Sequence, residues 1–121
     1  MRVANWLLIA TLMCSPGLAG AAGDFSVKGA GLFTCDQMLQ QASRDPNVVN
    51  TIYTSWLLGY FTGMNSATAA LRNADSIVGG DTTPEELRSM LIESCGQNPL
   101  KSVLQASSEI FERLSKAAKK P

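Results

Sequence analysis

The chemistry open to this chain is set first by what it lacks. Its 121 residues include no histidine. That removes the commonest general base, the commonest metal ligand and the side chain that titrates near neutrality. Serines and threonines are plentiful, but a hydroxyl nucleophile needs a base beside it, and no nucleophile-elbow motif occurs. Paired carboxylates remain the one acid–base option. Glu85, Glu86, Glu93, Glu109 and Glu112 all fall where exposed helix faces or caps are expected. Glu109 and Arg113, four residues apart, suit a surface ion pair. Gly79-Gly80-Asp81 follows no strand, so it forms no phosphate cradle. The expectation is a non-enzyme with no catalytic residue, no cofactor and no metal.

The cysteines offer structural chemistry instead. There are three, Cys14, Cys35 and Cys95, none in a Cys-x-x-Cys arrangement that would suggest a redox pair. Cys14 lies in an N-terminus with the three parts of a secretory signal. Arg2 supplies the positive region, Trp6 to Met13 the apolar run, and Pro16-Gly17 the break. Ala19-Gly20-Ala21 supplies the small-x-small cleavage site. The apolar run is short of the roughly 20 residues that span a bilayer. Leu12-Met13 ahead of Cys14 fits a lipidation signal poorly. Residues 1–21 are read as a signal peptide cleaved near Ala21/Ala22, which places the mature chain in an exported, disulfide-permissive compartment. Cleavage removes Cys14 and leaves Cys35 and Cys95, which allow one intramolecular disulfide. Two unpaired buried thiols, or a bridge between chains, are the other arrangements open to them.

These cysteines must be positioned by helices. Apolar residues make up 45 % of the chain and charged residues 17 %, an ordinary globular balance for one domain. Ten basic residues match ten acidic ones, which disfavours a nucleic-acid partner. Residues 22–32 are Gly- and Ala-rich without a sustained period and read as a flexible leader. From residue 33 the periodicity is helical throughout. Thr34-Cys35-Asp36-Gln37 is a capping box that opens the first helix, and Asp45-Pro46 ends it. A second helix from about Asn47 to Leu71 carries Val48, Val49, Ile52, Tyr53, Trp56, Leu57, Tyr60, Phe61 and Met64 at helical spacing. It should form the centre of the core, and its polar residues argue against a membrane span. Gly59 and Gly63, one turn apart, read as a site of close approach by another helix.

After a loop over Asn73 to Asp81, the third helix opens with a second capping box, Thr83-Pro84-Glu85-Glu86, and Gly96 reads as its stop. Asn98-Pro99 reads as the start of the fourth helix, with Leu100, Val103, Leu104, Ser107, Ile110, Phe111, Leu114 and Ala118 as its inner stripe. Lys116, Lys119 and Lys120 suit its C-terminal end. The fold class expected over 33–121 is all-α: a small four-helix orthogonal bundle, with the disulfide joining the start of the first helix to the end of the third.

Phe33-Thr34-Cys35-Asp36-Gln37-Met38-Leu39 resembles the opening of the HdeA/HdeB acid-stress chaperones of the bacterial periplasm. Thr83-Pro84-Glu85, Cys95 and a long terminal helix are similar to that family's second half, and Cys95 to Lys101 resembles further HdeA-like exported proteins. The central Trp56-Leu57-Leu58-Gly59-Tyr60-Phe61-Thr62-Gly63 resembles a Gly-Tyr-x-x-Gly segment in Tai-type immunity proteins of type VI secretion. The first resemblance implies a periplasmic protein that binds unfolded clients, with a homodimer dissociated by acid. Without histidine, any such switch would fall to carboxylates, at about pH 3 to 5. The second resemblance implies an immunity or inhibitor protein that binds a toxic partner enzyme. Under either, the partner is a protein, and Trp56, Tyr60, Phe61 and Met64 are the candidate contacts. The core is the other place those residues could serve.

Overall fold

A computed structural model describes residues 27–72 and 77–119. The segment expected to be a signal peptide, its expected cleavage site, most of the expected leader, residues 73–76 and the last two residues lie outside the described residues. The first described element is a single 3-10 turn, Gly29–Leu32, followed by α1, Cys35–Arg44. The α2 run comprises Pro46–Val48, a five-residue π turn at Val49–Tyr53, and the long segment Thr54–Arg72. Then come α3, Pro84–Gln97, and α4, Val103–Ala118. No strand occurs among the described residues. The all-α class, the four helices and the Cys35–Cys95 disulfide are as the sequence implies.

Both capping boxes form. Thr34 Oγ1 accepts from the Gln37 amide at 3.2 Å while Gln37 returns its side-chain oxygen to the Thr34 amide at 2.9 Å. Thr83 and Glu86 do the same at the head of α3, behind Pro84. The amide and hydroxyl of Thr83 hold the Glu86 carboxyl below its ordinary value of 4.5. At α1 the arrangement goes further, because the chain after α3 supplies the remaining acceptors. The Cys35 amide donates to the Lys101 carbonyl at 2.8 Å and the Asp36 amide to the Pro99 carbonyl at 2.9 Å. In return the Val103 amide donates to the Phe33 carbonyl at 2.9 Å, within an isolated antiparallel bridge of Thr34 and Ser102. The first amides of α1, which no helix can satisfy from within, are thus matched by a remote segment.

That pairing corrects the expected start of the fourth helix. Residues 98–101 form a turn in which the Pro99 and Lys101 carbonyls are committed to α1 and the Asn98 carbonyl accepts from the Lys101 amide, and α4 starts at Val103. Its cap is Ser102, in a capping box with Gln105. Leu100, expected on the inner stripe, sits in that turn and is 89 % exposed. Gly96 is not a stop either: α3 runs through it to Gln97 and is capped by Asn98, whose backbone leaves the helical region.

The core is one cluster. Met38 of α1, Val49, Tyr53, Leu57 and Phe61 of α2, Leu87 and Leu91 of α3, and Val103, Ile110 and Phe111 of α4 are all buried. Each such side chain removed from water contributes about 2 kcal/mol. The disulfide lies within it, both cysteines wholly buried, with Cα atoms 4.8 Å apart. Tyr53 donates its hydroxyl to Gln41 at 3.0 Å, and burial pushes its phenol above the ordinary 10.0 against that hydrogen bond.

The π turn explains one misplacement. The Thr54 hydroxyl donates to the Val49 carbonyl, five residues back, at 2.7 Å. The wide turn keeps Val49 and Tyr53 inward and leaves Ile52, expected in the core, 54 % exposed. The end of the leader is also not loose. Ala30 and Gly31 are buried, Gly31 against Trp56, whose indole N–H donates to the Lys28 carbonyl at 3.1 Å. A Cβ on Gly31 would come within 2.1 Å of the Trp56 ring, so only glycine permits this approach.

Candidate functional site

The described residues hold one cluster with the outward form of reactive chemistry. Lys101 Nζ donates to Ser94 Oγ at 2.8 Å and to Glu109 Oε2 at 2.5 Å, and the Lys101 side chain is largely buried. A serine beside a lysine would be a nucleophile–base pair only if the amine were neutral. Here Lys101 Nζ is the donor in both contacts, to the serine oxygen and to the carboxylate, so it does not accept from the hydroxyl. The cluster is a clasp that ties the 98–101 turn to α3 and α4. It also corrects the expected Glu109–Arg113 pair: the glutamate turns to the better-buried lysine of the turn. Nothing in the sequence spacing signals this, because the three groups come from three separate segments. Among the described residues, no three cysteine or acidic side chains converge as metal ligands.

The four candidate contact residues separate into three situations. Phe61 is core, 5 % exposed, edge-on to Phe111 at 5.1 Å. Trp56 is half-buried, covered by the 3-10 turn and stacked on Tyr60 at 5.7 Å. Tyr60 and Met64 face a groove between α2 and α4, of about 640 Å³. Tyr60, Met64, Ala67 and Leu71 form its α2 wall at steps of four, three and four residues, which keeps them on one helix face. Phe111 and Val78 complete the apolar lining. Leu71 is 85 % exposed, and Ile77, next to Val78, is 70 % exposed. Leu71 and Phe111 belong to the site and were not anticipated as such. The 60–64–67–71 spacing carries the signal, but spacing alone reads equally as core.

The end wall of the groove is held by a side chain. Asn65 Nδ2 donates to the Val78 carbonyl at 3.0 Å and its Oδ1 accepts from the Val78 amide at 2.9 Å, so one amide group occupies both backbone groups of Val78. Gly79 follows with φ +74°, a turn conformation that favours glycine, and Phe61 packs close to it. The two walls differ in charge. From Pro46 to Leu71 the sequence has no charged residue. The α4 wall carries Glu112, Lys116 and Lys119. Among the described residues the single ion pair is Lys101–Glu109, so neither lysine is neutralised there.

Gly59 and Gly63 do not serve the close packing expected of them. Both are exposed, and a Cβ on either would meet nothing within 4 Å. The α2 face they occupy is turned away from the core, which draws on Leu57 and Phe61. No helix among the described residues is long and apolar enough to cross a membrane. Comparisons with protein-family models, with curated proteins and with solved structures find no match for this chain.

Proposed function

We propose that this is an exported, non-catalytic protein-binding domain of the HdeA-like stress or chaperone kind, which holds apolar protein segments in the α2–α4 groove. The groove itself carries the reading. Tyr60, Met64 and Leu71 form an apolar stripe along an open groove; Tyr60 packs against the core, and Met64 and Leu71 lie outside it. Exposed apolar surface gathered in one concave place marks an interaction site rather than scattered surface residues. The periplasmic setting rests on the signal pattern of residues 1–21 and on the buried disulfide, which suits an oxidising compartment.

The test is suppression of aggregation of an acid-sensitive client, followed by light scattering at neutral and acid pH. The protein should lower scattering, and Met64→Lys with Leu71→Lys should remove the effect without altering the far-UV circular dichroism. Equal scattering with and without the wild-type protein would end this reading. The immunity or inhibitor reading has its own supporting observation. The Gly59/Gly63 face is open and belongs to a stretch of α2 without charge, which suits close approach by one dedicated partner. Co-purification of a single stoichiometric partner, lost on Gly59→Leu, would favour it.

A further inference from the structure

The occupant of the groove is constrained by what the walls offer and withhold. This step rests on the groove reading above and names the chemistry of the partner. Both long walls are helices, so their backbone amides and carbonyls are consumed internally. The end wall is no better, because Val78 gives its amide and carbonyl to Asn65. An extended peptide lying here would find no backbone partners along its length, and only side-chain groups such as those of Thr68, Ser108 and Ser115 to meet its own amides and carbonyls. A helix brings its backbone already satisfied and presents an apolar stripe. Tyr60, Met64 and Leu71 offer such a stripe about three turns of complementary surface.

Charge selects further. The α2 wall is uncharged from Pro46 to Leu71, so among the described lining residues the charge facing an occupant comes from the α4 side. There, two ammonium groups, Lys116 and Lys119, stand against one carboxylate, Glu112. Lys116 and Lys119 are three residues apart and Glu112 is four before Lys116, so the three lie on one side of α4 with the lysines in excess. We propose that the α2–α4 groove takes a single amphipathic helix of a partner protein whose apolar stripe is flanked, on one side only, by acidic residues that meet Lys116 and Lys119. The other flank of that helix, against α2, is uncharged.

The probe is a fluorescein-labelled designed peptide of about four helical turns, with leucines at helical spacing and glutamates along one flank. Its twin has lysine for each glutamate, and a third peptide has the acidic composition scrambled so that no stripe forms. Binding to the full chain is read by fluorescence anisotropy. The acidic stripe peptide should bind at least roughly tenfold more tightly than the other two. Lys116→Glu with Lys119→Glu should reverse the preference towards the basic twin. Leu71→Lys, at a position outside the core, should weaken binding roughly tenfold or more, while Leu100→Lys, in the distant 98–101 turn, should leave it unchanged. Equal binding of acidic and basic peptides, both lost on Leu71→Lys, overturns the charge selection and leaves the groove as a docking site. Equal binding of the scrambled peptide overturns the helical occupant. Binding indifferent to Leu71→Lys overturns the groove reading itself.

Discussion

Reduction of the Cys35–Cys95 disulfide is the perturbation whose size follows most directly from the structure. The bridge closes a loop with a sequence separation of 60. On the chain-entropy account, a crosslink of that span restrains the unfolded chain by about 4 kcal/mol. A domain of this size has a total stability of only about 5–15 kcal/mol, so the loss is a large share of it. Converted at the midpoint, it lowers Tm by roughly 15–30 °C. Reduction is a cleaner test than substitution. It keeps both sulfurs in place and avoids the cavity that Cys→Ala would leave at two wholly buried positions. The assay is thermal unfolding by circular dichroism of the oxidised protein and of protein reduced while unfolded, then refolded under reductant. Burial adds a kinetic corollary: reductant reaches the sulfurs only when the fold opens, so native reduction should accelerate with denaturant. A Tm within a few degrees for both forms would refute the claim that the loop constraint matters to this fold. Rapid reduction of the native protein would refute the burial.

Further outcomes follow from single positions. Gly59→Ala and Gly63→Ala should each stabilise the protein by about 0.5–1 kcal/mol in urea denaturation, because alanine favours the helix and nothing stands within 4 Å of the added carbon. Destabilisation would show a close contact at that face. Gly31→Ala should cost about 1–3 kcal/mol and shift Trp56 fluorescence, since the new methyl collides with the indole ring; an unchanged spectrum and stability would exclude the contact. The raised phenol of Tyr53 makes folding pH-dependent in alkali. The folded state holds its proton more tightly than the unfolded one, so the contribution is complete below pH 10.0 and is lost as pH rises through the folded value. Tyr53→Phe should flatten that alkaline fall. Glu86 acts in the opposite direction: its lowered carboxyl contributes above its ordinary 4.5, and the contribution is lost as pH falls below that value. Glu86→Gln should reduce the acid sensitivity of urea midpoints between pH 5 and 3.

Much of the fold was legible because it depends on residues three or four apart. The Thr34/Gln37 and Thr83/Glu86 boxes, the Met38 and Leu91 faces and the Val103–Ile110 stripe all form as the spacing implies. The capping box of Ser102 and Gln105 was equally local, but Asn98-Pro99 offered a competing start and drew the boundary forward. The candidate site was half legible. Tyr60 and Met64 stand in the groove, while Phe61 is core and Trp56 is covered.

By itself, then, the sequence determined the helices and most of their caps, and it allowed the Cys35–Cys95 disulfide that the structure forms. The helices and caps follow from short-range hydrogen bonds and from a period that needs no knowledge of the rest of the chain. Only the tertiary structure decided the choices between competing partners far apart in sequence. Glu109 took Lys101 over Arg113, and the amides of α1 took the carbonyls of 99 and 101. The groove belongs to this second group. Apolar residues on α2 become core where α4 or α3 covers them and exposed groove wall where neither does. Leu57 and Leu71 differ in that respect alone, and nothing in their local spacing distinguishes them.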